Sequence, residues 1–141
     1  MKRCWLICAV VVIGLSGCKT AEQALLESGV KPMHEAQMRE EFIGNTLYGE
    51  TESGRRWIEY LDPNGTARTK WVANGATQKG TWSMKDFRSC FSYEGNNAGI
   101  PLCFTTYKNE DGVTAFNDGN NTKGQFGYRI YRIEAGNVEA L

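Results

Sequence analysis

A single histidine, three prolines and no apolar run long enough to cross a bilayer as a helix set the first limits on this 141-residue chain. Hydrolytic and zinc sites built on imidazole need several histidines, or one with its partners in place. His34 stands alone beside Glu35 in a helix-forming stretch and reads as a solvated surface side chain. No Gly-x-Ser-x-Gly elbow is present to expose a serine nucleophile. Excess positive charge is missing too: 16 basic residues face 16 acidic ones, with no Lys/Arg cluster. Phosphate backbones are bound by a basic field, so nucleic acid is excluded as a partner class. The run Asp118-Gly119-Asn120-Asn121-Thr122-Lys123-Gly124 sets oxygens at alternate positions, as a calcium loop does. Arg129 stands where the bidentate glutamate belongs, and Lys123 would oppose a cation, so it reads as a β-turn loop. The carboxylates Glu50, Glu52, Glu59, Asp62, Glu110 and Asp111 fall mostly at turns, with no spacing that sets two across a cleft. The expectation is a non-enzyme with no cofactor and no metal.

The N-terminus has the layout of a secretion signal. Lys2 and Arg3 supply a short positive region, and Trp5 to Leu15 (WLICAVVVIGL) is uncharged and apolar. A spanning helix needs about 20 apolar residues, and this run ends at Gly17-Cys18-Lys19. Leu15-Ser16-Gly17-Cys18 resembles the lipobox of bacterial lipoproteins. That resemblance implies removal of residues 1–17, a diacylglyceryl group on the Cys18 thiol, and acylation of the new amine. Several acyl chains anchor a protein where one would bind only marginally. Lys19, in place of Asp after the cysteine, implies outer-membrane sorting and a domain facing the periplasm.

Cysteine use then follows. Cys4 and Cys8 leave with the signal and Cys18 is lipidated, so Cys90 and Cys103 remain as an even pair in an oxidising compartment. They are expected to form one disulfide.

Residues 18–31 are small and polar and read as a tether, in which Ala21 to Ser28 can form a turn or two of helix. Residues 32–41 (PMHEAQMREE) predict a helix with Pro32 in its first turn. Its weak amphipathicity predicts light packing on the rest. After Phe42 the character changes. Aromatic and β-branched runs, broken by Gly, Asn and Asp, predict strands at 42–48, 56–61, 66–72, 77–84, 89–93, 101–107, 113–117 and 126–133. No connection is long enough for a crossover helix. The predicted fold for residues 32–141 is therefore all-β: a small eight-stranded antiparallel meander barrel, calycin-like, or a two-sheet sandwich, preceded by a short N-terminal helix.

Two hairpins can be registered from turn chemistry. Asp62-Pro63-Asn64-Gly65 suits a type I turn followed by a left-handed Gly, which sets Trp57 opposite Trp71 and Leu61 opposite Ala67. A slip of one residue would pair Glu59 with Arg68. In the second hairpin, Cys90 opposite Cys103 sets Phe91 facing Leu102 and Tyr93 facing Ile100. Those residues and Phe104 then share one apolar face, with both cysteines on the other.

The aromatics Trp57, Trp71, Trp82, Tyr93 and Phe104, with Tyr128 and Tyr131, alternate along the strands. Core packing and the lining of a cavity both fit that pattern. Gly80-Thr81-Trp82 matches the Gly-x-Trp of calycin barrels, in which the Trp plugs one end; here it falls on the fourth strand rather than the first. Gly44-Asn45-Thr46, Tyr60-Leu61 to Gly65-Thr66, Gly80-Thr81-Trp82 and the cysteine pair together resemble a group of small alphaproteobacterial secreted or lipidated proteins with a domain of unknown function. That resemblance implies a periplasmic β-barrel and no particular activity. A thinner one, to small periplasmic inhibitors of secreted metalloproteases, implies a free N-terminal segment entering a protease cleft. The functional expectation is a membrane-anchored binding or structural module contacting envelope proteins or a small apolar ligand, with hydrolase inhibition as the alternative.

Overall fold

The computed structural model describes residues 19–95, 99–119 and 121–141, so the signal and the lipidation call at Cys18 lie outside the described residues. Two short helices precede eight strands: α1 (Ala21–Glu27), α2 (Glu35–Phe42), β1 (Asn45–Thr51), β2 (Arg56–Leu61), β3 (Thr66–Trp71), β4 (Thr77–Lys85), β5 (Arg88–Tyr93), β6 (Leu102–Asn109), β7 (Gly112–Asn117) and β8 (Phe126–Ala135). Each strand pairs antiparallel with the next, and β8 returns to β1, closing a barrel in simple chain order. Closure leaves no open sheet edge. Of the two predicted architectures, the barrel is the one that forms.

Both hairpin registers are as the turns dictate. Trp57 lies opposite Trp71 and Leu61 opposite Ala67, while Glu59 faces Thr69 rather than Arg68. Gly65 takes φ +93° after the Asp62 turn, a region open to glycine. Cys90 pairs with Cys103 in the ladder and the two are joined by a disulfide. Phe91 pairs with Leu102, but β6 starts only there, so Ile100 does not face Tyr93 and is 71% exposed.

The helices depart from expectation. Pro32 bridges to Tyr107, and the Met33 amide donates to the Thr106 carbonyl at 2.7 Å. These two residues are thus extended along β6, and α2 begins only after His34, whose Nδ1 accepts from the Ala36 amide as the helix cap. The reason is burial: extension drives Met33 into the barrel, where it is 1% exposed. Nor does α2 pack lightly. Met38 and Phe42 are 0% and 1% exposed, and the Thr106 hydroxyl contacts the Met38 sulfur. They close the barrel end at which Leu47, Leu61, Met84, Val113 and Ile130 lie, in one apolar cluster with them. Full burial of such a side chain contributes about 1.5–3 kcal/mol. A helix needs only two deep side chains to act as a plug, so its average amphipathicity carried little information.

α1, capped by Thr20 and Gln23 in a reciprocal box, lies on the outer wall. The Tyr107 hydroxyl donates to Glu22 at 2.7 Å. Thr20 and Glu22 sit against Gly124, where an added Cβ would meet the Thr20 hydroxyl at 3.2 Å. Gly124 belongs to the loop joining β7 to β8 at the end opposite the α2 plug.

Because both cysteines face outward from the apolar wall, the disulfide should act on stability alone. Replacing both with Ser is expected to lower unfolding free energy by about 3 kcal/mol. Urea denaturation of the parent with and without reductant, beside the double variant, measures it.

Candidate functional site

Among the described residues, nothing closes the end away from α2. There the barrel holds a cavity of about 350 Å³, at the lower edge of the range typical of small-molecule sites. Six aromatic rings line it: Trp57 from β2, Trp71 from β3, Phe91 and Tyr93 from β5, Phe104 from β6 and Tyr128 from β8. They arrive together because alternate residues of every strand face the barrel axis. The rings pack on one another, with Phe104 edge-on to Tyr128 at 4.9 Å and Trp57 edge-on to Tyr128 at 5.8 Å.

Two glycines make the room. A Cβ on Gly49 would lie 2.2 Å from the Trp57 ring, and one on Gly127 would lie 2.7 Å from the Phe104 ring. Each ring thus lies close against bare backbone, that of the adjacent strand β1 for Trp57 and that of β8, beyond β7, for Phe104, where a side chain would collide.

One charged group stands among the rings. Glu59, inward-facing on β2, is 4% exposed. Its Oε1 accepts from the Thr69 hydroxyl at 2.7 Å and from the Tyr93 hydroxyl at 2.5 Å. Oε2 takes no hydrogen bond among the described residues. Since no fully buried side-chain polar atom in them lacks a partner, Oε2 fronts the cavity that Glu59 lines. Burial holds the carboxyl above its ordinary value of 4.5, against the lowering pull of the Tyr93 and Thr69 hydrogen bonds. Burial likewise pushes the Tyr93 phenol well up, with the Glu59 charge adding to it. At the rim, the Arg55 guanidinium stacks over Trp71 at 4.1 Å from the ring centroid, and Thr51, Gln78 and Leu102 complete the lining.

Of the aromatics singled out from the sequence, Trp57, Trp71, Tyr93 and Phe104 meet in this cavity. Trp82 does not. It packs against the core near the plugged end, its indole N–H donating to the Asp62 carbonyl at 2.8 Å and its ring beneath Arg39 of α2. The plug of the barrel is α2, not the Gly-x-Trp residue. Tyr128, named with those aromatics, lines the cavity too, while Tyr131 is exposed; Phe91 and Glu59 were missed as lining residues. An acidic residue at an inward position of a strand, between Trp57 and Leu61, was the available signal for Glu59, and Gly49 and Gly127 inside strands were the signal for close-packed rings.

The remaining candidates stay apart from the cavity. His34 caps α2 and meets Phe87 edge-on at 5.3 Å. Asp118 is held by Arg88 and Lys123, both cationic, in the place of any metal. Among the described residues no group of three His, Cys, Asp or Glu side chains is placed to hold a metal ion. No known protein family, no curated protein and no solved structure matches this chain.

Two outcomes follow from this geometry. A group whose folded pKa is raised favours the fold when protonated, so stability should fall as pH rises from about 4.5 through the raised value and then level off. Glu59→Gln should flatten that slope and be the more stable form at neutral pH, as thermal melts across pH 4–8 would measure. Gly49→Ala should displace the Trp57 ring, with a loss of about 1–3 kcal/mol and an altered near-ultraviolet circular dichroism signal.

Proposed function

We propose that this protein is a lipid-anchored, non-catalytic binding module of the bacterial envelope that takes a small apolar ligand into the open end of its barrel. The observation that carries the reading is the cavity itself. A core built only for stability packs to near-crystalline density. Six rings around about 350 Å³ of space are instead the composition of a ligand pocket, mostly aromatic with few polar groups.

The membrane half of the proposal rests on the lipobox Leu15-Ser16-Gly17-Cys18 and on Lys19, which favours the outer membrane with the domain in the periplasm. At the open end, Val72, Ile100 and Leu102 are 51%, 71% and 43% exposed, apolar surface that suits a domain held close to lipid. Hydrolase inhibition through a free N-terminal segment finds less support. The chain is bonded to the barrel wall at Glu22 and again at Pro32 and Met33.

The test uses the full chain, labelled with 5-fluorotryptophan, in nanodiscs of phosphatidylglycerol. Titration with 3,3-dimethylbutan-1-ol, a water-soluble neutral apolar probe, should shift the fluorine signals of Trp57 and Trp71 saturably and leave Trp82 in place. No shift, or equal shifts at all three, would remove the binding reading. Mass spectrometry of the native protein should find Cys18 as an acylated first residue; an unmodified Cys18 would remove the anchor.

A further inference from the structure

Resting on that reading, we propose that the cavity selects ligands carrying an organic ammonium group, with the Glu59 carboxylate as the recognising partner and the aromatic rings as its cage. Three features of the site lead there. The first is the unpaired oxygen. Thr69 and Tyr93 both spend their hydroxyl protons on Oε1, and among the described residues Oε2 takes no hydrogen bond, so it fronts the cavity that Glu59 lines. A carboxylate buried without a counter-charge is costly, and a cation or strong donor from the ligand is what offsets that cost.

The second is the wall. Ring faces carry negative electrostatic potential and attract cations, most strongly where water is excluded, and aromatic cages are a general device for methylated ammonium groups. Around this cavity, Trp57, Trp71, Phe91, Tyr93, Phe104 and Tyr128 supply six rings within reach of one carboxylate. The third is Arg55. Its guanidinium over Trp71 at 4.1 Å shows that a ring of this set already receives a cation at the mouth. Arg55 is exposed, so solvent and salt screen its charge from the interior. A ligand ammonium would pass it and settle deeper, between the rings and Oε2.

An anionic amphiphile is the competing occupant, with its head at Arg55 and its tail inside. It would leave Oε2 facing hydrocarbon, unpaired, at the centre of the site. The buried carboxylate decides for the cation.

Ammonium groups reach an envelope protein either in a phospholipid headgroup or in a free amine, and the chemistry at Glu59 is the same for both. The probes are choline, its neutral carbon isostere 3,3-dimethylbutan-1-ol, and the anion 3,3-dimethylbutanoate, which share one shape and differ in charge. Titrated into the full chain in phosphatidylglycerol nanodiscs at fixed salt, choline should bind about tenfold tighter than the alcohol, with the anion weakest. Glu59→Gln, which keeps an acceptor for Tyr93 and Thr69, should bring choline affinity down to that of the alcohol measured in the same variant. Arg55→Ala, at an exposed site where folding is not at stake, should leave choline binding equal or tighter.

Equal affinity of choline and alcohol would overturn the proposal while leaving an apolar site standing. Preference for the anion, lost in Arg55→Ala, would overturn it in favour of the reverse polarity. Failure of all three probes would sink the binding reading as well. In phosphatidylcholine nanodiscs, Trp57 and Trp71 signals already displaced before any choline is added assign the headgroup as source. Unchanged signals there, with choline binding retained, assign a free amine.

Discussion

Met38 and Phe42 reach from α2 into one end of the barrel and fill it. The rest of the structure depends on that asymmetry. Eight strands closed in chain order enclose an axis with two ends, and interior residues at both must be covered, packed by one another or left facing a space. At the α2 end the covering is complete, with Leu61, Met84 and Ile130 against the plug. At the other end no described element covers the axis, and aromatic side chains there line a cavity. The filled end and the candidate site therefore occupy opposite ends of the same set of strands.

The polarity of the open end comes from one residue. Glu59 lies between Trp57 and Leu61 on β2, all three facing inward, so the strand carries a ring, a carboxyl and an aliphatic side chain in sequence from mouth to plug. Thr69 and Tyr93 hold one oxygen of that carboxyl. They fix its orientation and lower the cost of burying it, but they do not use its second oxygen. Half-satisfied buried polar groups are rare in cores built for stability alone. In a cavity they serve as the polar point that orients a ligand.

How much of this was readable beforehand varies by the range of the interaction. The strands, their order and two hairpin registers were legible because each rests on a local cause. Gly65 permits the left-handed residue after the Asp62 turn, and the Cys90–Cys103 bridge fits only a ladder in which those residues are opposite. The start of α2 was misjudged because Pro32 and Met33 answer to β6, far along the chain, rather than to helix propensity. Ile100 was misjudged because β6 begins after it. Trp82 went to the plugged end because its indole found the Asp62 carbonyl there.

The sequence alone determined the period-two alternation, the turns that set register, the paired cysteines and an N-terminus with the pattern of a lipidated signal. All of these are written within a few residues of one another, or in the identity of a single residue. Tertiary structure decided which end is filled, which rings meet, and that among the described residues one oxygen of the Glu59 carboxyl takes no hydrogen bond. Each of those depends on strands distant in sequence closing at a particular stagger, and alternation says only that a side chain points inward, not what it will find there.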